Sequence, residues 1–119
     1  MELIKELQAL GANTDEALER VMGDTSLYEM MLGMFVDSVR DNPIAEADFD
    51  GADLEGLIKR VHMLKGVTGN LSIVPLFTGY TEILGQLRGN QPQEAKAGYL
   101  RLQPVQAKII DCIKQNQGA

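Results

Sequence analysis

Apolar residues recur at helical spacing along almost the whole chain, and no segment alternates convincingly in the way of a half-buried β-strand. Short breaks rich in Gly, Asn or Pro separate the periodic segments. The predicted helices span 1–10, 13–22, 25–40, 53–72, 75–88 and about 90–116. Because four of them are long and their connections are short, the pattern predicts an all-α fold. The expected architecture is an antiparallel up-and-down four-helix bundle with an additional short N-terminal helix.

The size of the chain limits what it can build. Its 119 residues suffice for one hydrophobic core but not for two, so 1–119 is predicted to be a single domain. No apolar run approaches the ~20 residues needed to cross a bilayer, and the N-terminus does not resemble a signal peptide. Cys112 is the only cysteine, is expected to be buried, and has no partner for an internal disulfide. These features favour a cytoplasmic protein that does not insert into membranes.

The charge balance bears on the choice of partner. Seventeen acidic residues against eleven basic ones give a formal net charge of −6. Such a surface repels phosphate backbones, so nucleic acid is not an expected partner.

Several details of the pattern concern the core and the connections. The positions expected to face inward include Met30, Met34, Phe77 and Val105. Pro104 is expected to kink or split the last helix, because proline removes a backbone N–H donor. The acidic connection over 41–55 is interpreted as a solvated loop, and Asp53 is expected to cap the helix that follows.

That helix, over about 53–72, holds the only histidine. Its buried face is formed by Leu57, Val61, Leu64 and Thr68. On a helical wheel His62 lies roughly 120° from the centre of this face and is expected to be exposed. Its neighbours on the exposed face are Lys59, Lys65, Gly66 and Gly69.

Gly66 and Gly69 are unusual inside a helix. Each costs about 1 kcal/mol relative to alanine, so a compensating role is expected. One interpretation is that missing side chains let the backbone of another protein approach His62. The other is close packing against a neighbouring helix, and the two glycines alone do not decide between them.

The chemistry of this helix points to phosphoryl transfer. An imidazole is nucleophilic at neutral pH and can be phosphorylated. A phosphoryl group brings a charge approaching −2. An ion pair between this group and Lys65 would stabilise the phosphorylated form by roughly 1 kcal/mol if both groups are exposed. Without His62, Lys65 would be interpreted as an ordinary solvated lysine. Lys59 is interpreted first as an ordinary solvated lysine, even though His62 is present.

Other chemistries have weaker support. One histidine and one cysteine fifty positions apart lack metal-site spacing, so no metal of its own is expected. The nucleotide-binding loop G-x-x-x-x-G-K-[ST] is absent from the sequence. For a hydrolase, Ser72 would be the nearby nucleophile, but it is predicted on the apolar side of the same helix.

The segment His62-Met63-Leu64-Lys65-Gly66, followed by Val67-Thr68-Gly69-Asn70-Leu71, resembles the H-x-L-K-G-x-x-x-N-L signature of histidine phosphotransfer (HPt) domains. Upstream, Gly23-Asp24 and the apolar positions after it are similar to the family's G-D-x-x-L-(Y/L) helix. The resemblance covers essentially the whole chain.

The resemblance implies a phosphorelay intermediate without ATP-dependent kinase activity. His62 would be the phosphoacceptor and Lys65 the cation that steadies the phosphoryl group. Gly66, extended by Gly69, would admit the receiver, with Lys59 also in the docking surface. The implied partners are the receiver domain of a response regulator and a hybrid sensor histidine kinase. The receiver would bring the aspartate and the Mg²⁺ ion, and this chain would act as a monomer.

Two positions depart from the family pattern. Val67 stands where a small serine or alanine is common, which bears on partner specificity. Some relatives hydrogen-bond the imidazole from the next helix, and the aligned position here is Leu84. Glu82 and Gln86 are the alternative hydrogen-bond partners that the sequence offers for the imidazole.

Two other classes of function remain open at this point. The first is a helical adaptor that binds signalling domains through the same face without being phosphorylated. Such an adaptor has no need of a nucleophile beside a cation and two glycines. The second is an enzyme with His62 as general base, for which the sequence offers no evident partner in a cleft.

Overall fold

The chain is described by a computed structural model that covers residues 2–117. Helices and turns account for the ordered elements in this range, and no strand occurs in it, as the periodicity predicts. The elements are α1 (Glu2–Ala9), α2 (Thr14–Arg20), α3 (Thr25–Asp41), a 3₁₀ turn (Glu46–Asp50), α4 (Leu54–Asn70), α5 (Val74–Arg88) and α6 (Pro92–Gln117). Within these residues, no helix combines the length and the apolar character needed to span a bilayer.

Helix boundaries follow the local signals in the sequence. Gly11 adopts a φ of +102° just after α1, as expected for a glycine that ends a helix. Asn13 and Asp53 cap α2 and α4 by accepting hydrogen bonds from the backbone N–H groups of Glu16 and Gly56. The predicted ends of α2 and α4 were each two residues too late.

The four longest helices form most of the interior. α4 packs most extensively against α5, α5 packs against α6, and α3 contacts both α4 and α6. α1 rests on α6, and α2 contacts α1 and α3. Buried apolar side chains from all six helices form one core, and its largest fully buried members include Leu7, Tyr28, Phe35, Leu57, Leu64 and Tyr80.

The prediction that methionines of α3 fill the core was wrong for Met30 and Met34, whereas Met31 is partly buried and packs against the core. Met30 is 57% exposed and Met34 is 59% exposed, whereas Tyr28, Leu32 and Phe35 provide the buried face. α3 has more apolar positions than its contact with the core needs, so two of them remain on the surface.

The acidic connection over 41–55 is not simply a solvated loop. It contains the 3₁₀ turn, and this turn places Phe49 against the ring of Tyr99 at a centroid distance of 5.5 Å. Lys96 Nζ lies 2.7 Å from a carboxylate oxygen of Asp50, and Arg60 Nη1 lies 3.2 Å from one of Asp48. The acidic residues thus attach this segment to α6 and α4.

Helix α6 runs without interruption through Pro104, so the predicted split is wrong. Proline leaves the carbonyl of the residue four positions earlier without its usual donor. Here that residue is Leu100, and both Leu100 and Pro104 are exposed, so water can hydrogen-bond to the carbonyl. Val105 is exposed as well, contrary to prediction, and Gln106 is buried with its side-chain oxygen accepting from the Tyr80 hydroxyl.

Cys112 is buried, as predicted, at the contact between α1 and α6. Its thiol lies 3.4 Å from a carboxylate oxygen of Glu6. Burial, together with this hydrogen bond, raises the pKa of the Cys112 thiol to about 11. The thiolate is therefore disfavoured at neutral pH, which agrees with a packing role.

Candidate functional site

His62 lies in the middle of α4 with its side chain exposed, as the helical wheel predicts. The opposite face of the helix is buried in the core through Leu57, Val61, Leu64 and Thr68. The Thr68 hydroxyl donates to the backbone carbonyl of Leu64 at 2.8 Å, so its polar group is satisfied within the helix. α4 thus holds the imidazole on a fixed element with access to solvent.

The two lysines next to His62 differ in their surroundings. Lys59 is exposed, and its ammonium lies 4.0 Å from the carboxylate of Glu55 one turn earlier. Lys65 is half-buried and forms no salt bridge with any residue in the described range 2–117. Of the two, Lys65 is the cation whose charge is not already shared with a carboxylate.

Gly66 lies one turn after His62 and opens onto free space. A Cβ atom built on this glycine meets no other atom within 4 Å, and the residue is exposed. Close packing against a neighbouring helix therefore does not explain why glycine stands here.

Gly69 has a different environment. A Cβ atom at this position would lie 2.9 Å from Cδ1 and 3.0 Å from Cε1 of Phe77 on α5. The phenyl ring thus rests directly on the backbone of α4, and the absence of a side chain permits this approach. Phe77 remains 38% exposed, so the prediction that it faces inward was only partly right. For Gly69 the packing interpretation has direct support, while its role in docking stays a prediction.

The contrast between the two glycines gives a stability prediction. Gly66→Ala should raise the free energy of unfolding by about 1 kcal/mol, because alanine is the better helix former and has room. Gly69→Ala adds the same gain but also a clash with Phe77 that costs ~1–3 kcal/mol. We expect Gly66→Ala to exceed Gly69→Ala by about 1–3 kcal/mol in denaturant unfolding. Equal stabilities would contradict the close contact at Gly69.

An apolar groove runs beside this face of α4, between α3 and α4. It has a volume of about 200 Å³. Its lining consists of Met31, Met34, Phe35, Ser38, Val67, Asn70 and Leu71. Val67, which departs from the HPt signature that the sequence resembles, therefore lines the groove. The sequence did not indicate this surface, because the methionines were assigned to the core.

The C-terminal end of α4 is held by a residue from α2. The Arg20 guanidinium donates to the backbone carbonyl of Asn70 at 2.9 Å and to the Ser72 hydroxyl at 2.6 Å, and it pairs with Glu16. Ser72 in turn donates to Glu16, and the hydrogen bonds from Ser72 and Arg20 lower the pKa of this carboxyl. Arg20 supplies a positive charge at a helix end whose last turn contains no basic residue.

Ser72 was predicted within the end of α4 and lies instead in the turn that follows it, with a φ of +53°. Its hydroxyl is committed to Glu16 and Arg20 and the residue is buried. This arrangement gives no support to Ser72 as a nucleophile for His62.

The residues of α5 considered as partners of the imidazole have separate positions. Leu84 is buried in the core, and Glu82 is exposed. The side-chain oxygen of Gln86 lies 3.6 Å from a Cβ built on Gly98, so Gln86 faces α6. Leu84, which aligns with the position that hydrogen-bonds the imidazole in some HPt domains that the sequence resembles, is thus an apolar side chain in the core.

Comparison of this chain with protein-family models, curated proteins and solved structures finds no match. Its function is therefore inferred from the residues and geometry described above.

Proposed function

We propose that this chain is a phosphorelay intermediate of the HPt type, in which His62 accepts a phosphoryl group and transfers it reversibly to or from a receiver aspartate. The observation that carries the proposal is the exposed imidazole of His62 with an open glycine, Gly66, one turn away. Lys65 on the same face supplies a cation that no described carboxylate pairs with. The upstream donor in this scheme is a hybrid sensor histidine kinase.

The packing of the long helices supports the four-helix bundle that this function implies. Tyr28 near the start of α3 donates to the carbonyl of Leu71 just after α4, and Arg60 on α4 donates to that of Pro43 just after α3. These two contacts favour opposite directions for α3 and α4. The short turn between α4 and α5 favours the same relation for that pair.

The proposed reaction exchanges one bond to phosphorus for another. The unprotonated ring nitrogen of His62 attacks the phosphorus of the receiver's aspartyl phosphate. A P–N bond forms as the bond from phosphorus to the carboxyl oxygen breaks, and the aspartate leaves as a carboxylate. The second ring nitrogen keeps its proton throughout, and the reverse reaction regenerates the aspartyl phosphate.

Lys65 acts in this scheme on the charge of the phosphoryl group. One turn from His62, its ammonium is within reach of a phosphoryl group on the ring, and a partly exposed pair of this kind contributes about 1 kcal/mol. The Mg²⁺ ion of the reaction belongs to the receiver in this proposal. ATP is used by the upstream kinase and not by this chain.

Incubation with phosphorylated receivers tests the proposal. We expect label to move from a receiver domain encoded in the same genome onto this chain. The label should be stable in base and labile in acid, as expected for phosphohistidine and not for phosphoserine. Failure of every such receiver to transfer label to the folded chain would contradict the proposed function.

A second candidate, an adaptor that binds signalling domains without phosphorylation, is favoured by the apolar groove between α3 and α4. Exposed Met34 together with Val67 gives this groove an apolar lining suited to a protein partner. The adaptor needs no nucleophile, so loss of His62 should leave its cellular activity intact as well as its binding, whereas a phosphocarrier should lose its activity and keep its binding. This difference is used below to separate the two functions.

A further inference from the structure

The contact between Gly69 and Phe77 fixes how α4 and α5 lie side by side. The two helices are joined by a short turn and run in opposite directions. A residue that precedes Gly69 by a given number of positions on α4 therefore lies level with the residue that follows Phe77 by the same number on α5. His62 lies two turns before Gly69, and Leu84 lies two turns after Phe77. Leu84 therefore lies at the level of His62, on the buried side of α5.

The next residue, Gly85, lies at the same level on the outer surface. It is exposed, and a Cβ built on it meets no atom within 4 Å. Gly79 on the same helix differs, because its Cβ would lie 2.6 Å from Cδ1 of Leu102 on α6. Close packing thus explains Gly79 but not Gly85. Two open glycines, Gly66 and Gly85, therefore stand near the level of His62 on adjacent helices.

The charges of this surface provide an independent observation. Arg88, one turn beyond Gly85, is exposed and forms no salt bridge with any residue of the described part of the chain. The same is true of Lys65 on α4. In a chain of net charge −6, these two unpaired cations lie about one turn to either side of the level of His62, Lys65 on α4 and Arg88 on α5. These two cations, but not the exposed Glu82 on α5, complement a partner whose reactive group is an aspartate.

We propose that the receiver docks across α4 and α5 together, with Gly85 as the clearance position on α5 and Arg88 as a cation that orients the receiver's acidic face. This inference rests on the proposed function. It assigns to α5 two residues that determine partner specificity and that do not take part in the bond exchange at His62.

The steric part is tested with Gly85→Leu. We expect binding of the phosphorylated receiver to weaken about tenfold or more, because the new side chain occupies the docking surface. Ala97→Leu is the matched control, since Ala97 is exposed on α6, which carries no part of the proposed surface. It should bind as the unsubstituted chain does. Labelling of both variants by phosphoramidate should be unchanged, because this small donor needs no docking.

The charge part is tested with Arg88→Gln. We expect slower transfer from the receiver at low salt and a weaker dependence of the transfer rate on salt, as expected when a surface charge that steers association is removed. Phosphoramidate labelling should again be unchanged.

The outcomes separate this inference from the proposed function. If no receiver labels the unsubstituted chain, the proposed function fails, and the docking proposal fails with it. If the unsubstituted chain is labelled and both Gly85→Leu and Arg88→Gln behave identically to it, the docking proposal alone is wrong. Equal weakening by Ala97→Leu would also contradict it.

Discussion

In a Gly66→Leu variant, transfer from a phosphorylated receiver is expected to fall by about a hundredfold or more, while the fold is retained. The new side chain lies one turn from His62, where the proposed function requires the receiver to bring its aspartate to the ring. Phosphoryl transfer depends steeply on positioning, and a displacement of about 1 Å can cost a hundredfold in rate. The measurement is the rate at which label appears on the chain after mixing with the phosphorylated receiver.

Three controls make the Gly66→Leu result specific. Phosphoramidate should label the variant normally, because a small donor needs less room than a protein. Circular dichroism and thermal unfolding should show equal or greater stability, since leucine forms helix better than glycine by about 0.8 kcal/mol. Ala97→Leu adds an apolar side chain elsewhere on the surface and should transfer normally. A folded Gly66→Leu chain that accepts label from the receiver at the unsubstituted rate would show that this face is not where the receiver docks.

The second large effect concerns His62→Gln. We expect phosphoryl acceptance to be abolished from receivers and from phosphoramidate alike, because the sequence contains no other histidine. Stability should change little, since an exposed side chain contributes little to the core. Labelling and thermal unfolding of the same preparation measure the two effects.

The same variant separates phosphotransfer from the adaptor function. For a phosphocarrier, His62→Gln removes the reaction but leaves docking of the receiver largely intact. For an adaptor, the variant should retain its full cellular activity as well as its binding. Base-stable, acid-labile label on His62→Gln would place the reactive group elsewhere and refute the assignment of His62.

The sequence was informative about the site because the site lies on one regular helix. Periodicity alone determined which face of α4 is buried, so the exposure of His62 followed from counting residues. It also placed Gly66 on the open face, but the role of Gly69 depended on Phe77 of another helix. No spacing within α4 indicates where a side chain of α5 will rest.

The misassigned positions share a physical cause. Met30 and Met34 are apolar and correctly spaced, but the number of apolar positions on a helix does not fix how many its neighbours cover. Phe49 is a single aromatic residue in an acidic segment, where charge suggested solvation. The hydrogen bonds from Arg20 to Asn70 and Ser72 join residues about fifty positions apart. Side-chain hydrogen bonds between such distant residues produce no periodic pattern in a sequence, so they could not be predicted from it.

That link has a consequence for how the protein is made. The buried face of α4 is covered by helices that precede it and by helices that follow it along the chain, and α2 holds its C-terminal end. On the ribosome, the segment that contains His62 emerges before α5 and α6 do, so its buried residues are still uncovered. The imidazole therefore acquires its fixed surroundings only late in synthesis, and an isolated peptide of α4 should not reproduce them.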